Sequence, residues 1–390
     1  MNTLRVLNIT FNGVSVFEDA VGFDFYTNDR VVEPEGTNVI SSSIYTNNII
    51  SLVGLNAVGK TSLLKIIHFI LEIIINNKSL NEMRNFLLLS QTNFSYEVTF
   101  FYNDAFHKIY SRVLRDLDSD DIKLKFENEF LKSIKKSEIT SKVKLRELIE
   151  LTLNESNSDT VRDHLDSSLK QILKEDDSIV TMVTKNNNSL VRDMIDNVNV
   201  NFLNVKKNVP TEVLNLFDEN IDYIKRESED SDSNLMLKFK NSNGVYSTGN
   251  MLFWGDIISS GTIKGNSLVD MAVDVLKNGG YLLVDEVENH LNKQLIKVFM
   301  DLFKDKEVNR YGATMIFTTH YPELLDFINR SDNIYVLKRN NDRRTCITLL
   351  STLARNDIKK SDVILSNYIK GTAPKYETIQ AFKKFIRSEV

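Results

Sequence analysis

Gly54-Leu55-Asn56-Ala57-Val58-Gly59-Lys60-Thr61 decides the fold of this chain. The run fits G-x-x-x-x-G-K-[ST], a loop that wraps phosphate, provided a strand enters it and a helix leaves it. Both conditions are met. Residues 48–53 are a short apolar run that reads as a buried strand. Residues 61–75 carry Leu63, Leu64, Ile66, Ile67, Ile70 and Leu71 at helical spacing. Gly54 and Gly59 let the backbone close around an anion, and the loop from Asn56 and Ala57 to Ser62 offers N–H donors at a helix N-terminus. Lys60 is placed to reach the β and γ phosphates, and the Thr61 hydroxyl to ligate Mg2+. The expected fold class is α/β, of P-loop NTPase type.

Further along, Tyr281-Leu282-Leu283-Val284-Asp285-Glu286 is four apolar residues followed by two carboxylates. A buried strand ending in Asp puts that carboxylate at the edge where open α/β sheets bind ligands. Asp285 is expected to hold Mg2+, and Glu286 to orient or deprotonate an attacking water. Met315-Ile316-Phe317-Thr318-Thr319-His320 is a second apolar strand, ending in histidine. Between the loop and these strands lies Ile258-Ser259-Ser260-Gly261-Thr262. On its residues alone that stretch reads equally as a helix N-cap or as a second phosphate-binding turn.

The bulk properties set few limits. Of 390 residues 42% are hydrophobic and 26% charged, ordinary for a globular chain with a substantial core. The net charge of −5 does not advertise nucleic-acid binding, though local patches decide that question. Cys346 is the only cysteine, which excludes an intrachain disulfide and a cysteine-based metal site. No apolar run reaches the length of a membrane helix, and the N-terminus lacks the apolar block of a signal peptide. The cytoplasm is the expected location, with no membrane partner.

Three regions follow from composition and pattern. Residues 1–115 read as strands around one helix, with a hairpin of 94–101 and 107–114 about Asn103-Asp104. Residues 116–230 are rich in Lys, Asp, Glu, Ser and Asn, contain no Gly, and show helical spacing at 129–151 and 161–173. They are expected to be a helical insertion between two halves of one ATPase domain. Residues 231–390 return to alternating strands and helices and close on a helix near 377–387.

In this order the pieces resemble the ABC-type ATPases of the SMC/RecF group, and more narrowly the OLD-like and abortive-infection ATPases of bacteria. The resemblance covers roughly residues 1–115 and 212–340. Residues 54–61 stand as Walker A and 281–286 as Walker B. Residues 258–262 stand where the family's signature belongs, with Ser260 for a glycine and Thr262 for glutamine. Asn289 and Asn292 take the place of the dimer-contact D-loop, His320 that of the switch histidine, and Gln91 that of the metal-side Q-loop glutamine.

The resemblance implies ATP and Mg2+ as cofactors and a head-to-tail homodimer. Each composite site would take Lys60, Thr61, Asp285, Glu286 and His320 from one chain, and Ser259, Ser260 and Gly261 from the other. It implies a defence ATPase controlling a separate effector or toxin protein. OLD-type nucleases carry a Toprim domain after the ATPase, and the fifty residues after the last ATPase strand are too few for one, so no nuclease is expected in cis. The alternative is a DNA-binding ATPase of repair or chromosome maintenance, with the basic run from Lys132 to Arg146 on phosphate. Asp116, Asp118, Asp120 and Asp121 are read as a solvated acidic loop rather than a metal site.

Overall fold

The structure is a computed structural model that describes residues 2–83, 90–116, 123–195, 208–228, 234–249, 254, 256–289, 291–355, 358–366, 368–373 and 376–389. Its strands run in chain order β1 Arg5–Val14, β2 Val21–Asp24, β3 Thr37–Val39, β4 Tyr45–Asn47, β5 Ile49–Gly54, β6 Ser90–Tyr102, β7 Ala105–Asp116, β8 Lys123–Lys135, β9 Thr160–Val161, β10 Leu190–Met194, β11 Ile221–Arg226, β12 Leu235–Phe239, β13 Val245–Thr248, β14 Gly280–Val284, β15 Thr314–Thr319, β16 Ile334–Arg339 and β17 Thr345–Leu349.

The central sheet has the order β10-β14-β15-β5-β16-β17 and is parallel except for β17. Both of its faces are covered, as a parallel sheet requires. On one face Ile50, Leu52, Leu283 and Ile316 join the P-loop helix Lys60–Asn76 and a second, antiparallel sheet. On the other, Ile49, Val53, Leu282, Val284, Met315 and Phe317 pack with the helices Ser260–Asn278 and Lys293–Lys304. The P-loop helix lies between two sheets, which is why almost all of its side chains are buried and why it is apolar around most of its circumference.

The antiparallel sheet has the order β2-β1-β6-β7-β8-β9. The β6–β7 hairpin forms as expected, and Asn103 and Asp104 take the positive φ angles (49° and 54°) that a two-residue hairpin turn needs. The smaller hairpin of β12 and β13 also forms.

The helical insertion is corrected. Residues 129–135 are the second half of β8, which pairs with β7 along its whole length, and the helix begins only at Lys142. The stretch expected as a helix at 161–173 begins in β9, turns through a short 3-10 segment and holds only the helix Ser167–Ile172. The segment then supplies β10 to the central sheet. It is a mixed region continuous with both sheets. Leu124, Phe126 and Leu131 are buried in β8, and the fully buried Glu129 is held by Ser111, Ser178, the Ile179 N–H and Arg162. Burial against these distant partners overrides the helical spacing. Asp118, Asp120 and Asp121 lie outside the described residues.

Register places the site. Val53 pairs with Thr319, Gly54 with Leu337, and Val284 with Phe317. The carboxyl ends of β5, β14 and β15 therefore finish at one edge, and the residues just beyond them are the loop after Gly54, Asp285 and His320.

Candidate nucleotide site

The P-loop is built from backbone conformations that its residues permit. A side chain at Gly54 would put its Cβ 2.4 Å from the Leu337 carbonyl oxygen, so only glycine lets β5 run this close to β16. Gly59 has φ +95° and Ala57 φ +59°, both left-handed. Gly59 is also the N-cap of the P-loop helix, and no side chain caps that helix. Its first turn holds no acidic residue. By contrast, Ser259 and Asn292 cap the helices Ser260–Asn278 and Lys293–Lys304. The P-loop helix keeps its N-terminal donors for an anion.

The Lys60 ammonium folds back over the loop, donating to the Gly54 carbonyl at 2.9 Å and the Leu55 carbonyl at 3.1 Å. Its Nζ lies 3.4 Å from His320 Nδ1. Burial lowers its pKa below the usual lysine value, against the opposing charges of Glu286, Asp285 and Glu288. A cation that is stripped of water and faces carboxylates is ready to exchange carbonyls for phosphate oxygens.

Asp285 receives two hydroxyls. Thr61 Oγ1 donates to Oδ2 at 2.8 Å and Thr318 Oγ1 to Oδ1 at 2.5 Å. Glu286 sits at φ +45°, with one carboxylate oxygen 3.3 Å from His320 Nε2 and the other accepting from Asn289 Nδ2 at 2.5 Å. The His320 backbone N–H donates to Glu288 at 2.5 Å. These groups flank a cavity of about 440 Å³ lined by Val16, Asn56, Ala57, Gly59, Lys60, Thr61, Ser62, Glu286, His320 and Arg339. An adjoining cavity of about 580 Å³ shares Asn56, Glu286 and His320 and is walled by Pro322, Ile364 and Leu365.

The glycine cradle, the uncapped helix and the retracted lysine fit a polyphosphate. Among the described residues no three His, Cys, Asp or Glu side chains converge as a metal site. Thr61 and Asp285 fit a Mg2+ that takes most of its ligands from phosphate and water. Of the expected residues, Gly54, Asn56, Ala57, Gly59, Lys60, Thr61, Ser62, Asp285, Glu286 and His320 come together here.

Ser259, Ser260 and Gly261 are not among the residues lining either cavity. Ser259 is an N-cap, accepting from the Thr262 N–H at 3.0 Å, and Ser260 and Gly261 open the helix that follows. Asn292 likewise caps its helix. Gln91 falls in β6, but its side chain lies outside the described residues, as does His290. The basic run from Lys132 to Arg146 is largely engaged within the chain. Lys132 donates to the Asn157 carbonyl, Lys142 to the Asp29 carbonyl and Arg146 to the Tyr26 hydroxyl.

Thr318, Glu288 and Arg339 did not emerge from the sequence. Thr318 could have done so, since it lies two residues before His320 and shares its side of the strand. Arg339 carries no such signal. It donates to the Ala57 carbonyl at 2.7 Å from a strand that only the sheet order brings alongside.

No helix among the described residues is long and apolar enough to cross a membrane. No curated protein gives a significant match to the chain. One family does match, over residues 49–326, from the P-loop strand to just past His320, and its description reads "AAA domain, putative AbiEii toxin, Type IV TA system". With a P-loop on a parallel sheet and most of its length inside that match, the chain belongs to this family of AAA-domain nucleotide-binding ATPases.

Proposed function

We propose that the chain hydrolyses ATP with Mg2+ at this site. Each site is completed by the Ser259–Gly261 turn of a second copy, and the resulting ATP-dependent homodimer controls a separate effector in defence against phage. The observation that carries the chemistry is the alignment of Thr61, Asp285, Glu286 and His320 at one sheet edge beside Lys60. The position of Ser259–Gly261 at a helix N-terminus and outside the lining of both cavities supports a partner-completed site. The family's toxin–antitoxin description supports a separately encoded partner protein.

Lys60 would move from the Gly54 and Leu55 carbonyls to the β and γ phosphates. A Mg2+ at this place would supply positive charge against the phosphate oxygens. Thr61 and Asp285 would hold it. Glu286 would orient the attacking water and take its proton, and His320 would hold the Glu286 carboxylate in place from the γ-phosphate side. The alternative of direct DNA contact has less support, because Lys132 and Lys142 donate to carbonyls within the chain.

The test is phosphate release by the purified protein, together with its mass in solution with and without ATP. Glu286→Gln should lower turnover by about 100-fold or more while ATP binding persists. It should also trap a dimer that the parent protein forms only transiently. A variant that turns over ATP like the parent would remove Glu286 as base, and a chain that stays monomeric with ATP would remove the composite site.

A further inference from the structure

Glu286 holds a left-handed backbone conformation at the centre of the site. A non-glycine residue at φ +45° costs energy and persists only where its surroundings fix it. Asn289 and His320 contact Glu286, and one residue of the neighbouring strand holds the turn from the sheet. The fully buried Thr318 on β15 accepts the Glu286 N–H on its hydroxyl at 2.7 Å. The same hydroxyl donates to Asp285 Oδ1 at 2.5 Å, and the Thr318 carbonyl accepts the Val287 N–H at 3.1 Å. Three consecutive residues of the turn are thus tied to one threonine on the neighbouring strand.

We propose that Thr318 is the positioning residue of the site: its single hydroxyl fixes the direction of the Asp285 carboxylate and the backbone of Glu286 together. A hydroxyl is the group that does both jobs, since it donates once and accepts as well. Thr61 and Thr318 divide the Asp285 carboxylate, one oxygen each. Thr61 must turn its oxygen toward a metal when one is bound, and Thr318 then remains to keep Asp285 aimed. His320, two residues on, grips the same turn through Glu286 and Glu288. The end of β15 therefore meets the acidic turn at both Thr318 and His320.

This inference rests on the ATPase reading above, and its test separates the two. Thr318→Val keeps the shape and removes both side-chain hydrogen bonds. Thr318→Ser keeps the hydroxyl. The valine variant should lose about 10- to 100-fold in kcat, the scale of lost outer-shell support, and the serine variant should stay within about threefold of the parent. Nucleotide binding in EDTA, read with a fluorescent ATP analogue, should be unchanged in both, because Thr318 does not touch the phosphate cradle. Hydrogen exchange of the backbone amides at 286–287 should rise in the valine variant and not in the serine variant. In a double-mutant cycle, Thr318→Val should cost less on Glu286→Gln than on the parent, since part of its effect passes through that residue. An active parent whose Thr318→Val variant matches it in kcat and in amide exchange overturns the inference and leaves the ATPase reading standing. A parent without ATPase activity overturns the reading itself, while the exchange measurement still reports on Thr318.

Discussion

The Thr61 hydroxyl donates to the Asp285 carboxylate at 2.8 Å, joining the first turn of the P-loop helix to the end of β14. The two residues lie on opposite sides of the long segment between the motifs, and the sheet order β14-β15-β5 brings them together. The contact pairs the two residues that would hold a divalent cation under the proposed function. Asp285→Asn keeps an acceptor for Thr61 but loses the charge. It should lower Mg2+-dependent hydrolysis by about 100-fold while leaving Mg2+-free nucleotide binding within about threefold. Hydrolysis measured across a Mg2+ series checks this. If the variant reaches the parent's maximum at ordinary Mg2+ concentrations, Asp285 is not a metal ligand.

A second prediction concerns stability. His68 is buried on the P-loop helix, 3.3 Å from Glu72 and 3.2 Å from Asp193 at the end of β10. Burial alone would lower its pKa, but the hydrogen bonds and charges of Asp193 and Glu72 raise it to about 9. Burial would likewise raise the two carboxyls, and their hydrogen bonds to His68 hold both below the usual range. A raised histidine stabilises the fold fully below its unfolded value of about 6.5 and loses that contribution as pH climbs through about 9. The depressed carboxylates contribute above their unfolded values, near pH 4, and fade only in acid. The cluster should therefore hold the helix best from about pH 5 to 6.5 and add about 3 kcal/mol less above pH 9.5. Urea unfolding of the parent and of His68→Gln checks this. The gap between them should shrink on going from pH 6 to pH 9.5, and a constant gap would mean that His68 is neutral throughout.

The parts of this fold that were legible in the sequence are those whose causes are local. The apolar strand, the glycine loop and the helix around Lys60 each announce themselves within a few residues, and so does the Asn103-Asp104 turn. The β8 strand was hidden because its Lys- and Glu-rich composition matches helical spacing, while its real partners are Ser111 on β7 and Ser178 and Arg162 further along. These partners, on β7 and beyond it, explain why Glu129 can be buried there. The candidate site divides in the same way. Lys60, Thr61, Asp285, Glu286 and His320 come from readable motifs. Thr318 and Arg339 act through the order of strands across the sheet, and no local pattern records that order. The Ser259–Thr262 turn stood open between an N-cap and a phosphate-binding turn. The structure supplies the N-cap.

Arg339 gives the sharpest separation of binding from folding. Its guanidinium donates to the Ala57 carbonyl at 2.7 Å and to the Arg343 carbonyl at 2.8 Å, at the mouth of the P-loop cavity. Ala57 is the non-glycine residue of the loop in a left-handed conformation, so this bond braces the most strained point of the cradle. The side chain is exposed, so its loss should cost the fold little, within about 0.5 kcal/mol. The nucleotide should notice more, because a loop free to relax must be ordered again on binding. Arg339→Ala is expected to weaken ATP binding by about 3- to 10-fold, the worth of one hydrogen bond, with no change in melting temperature beyond about 2 °C. Arg339→Lys should fall between, since one ammonium cannot span both carbonyls as the planar fork does. Titration with a fluorescent ATP analogue and a thermal melt on the same samples decide the point. Equal losses of affinity and stability would make Arg339 an ordinary surface contact, and unchanged affinity would mean that Ala57 keeps its conformation without the brace.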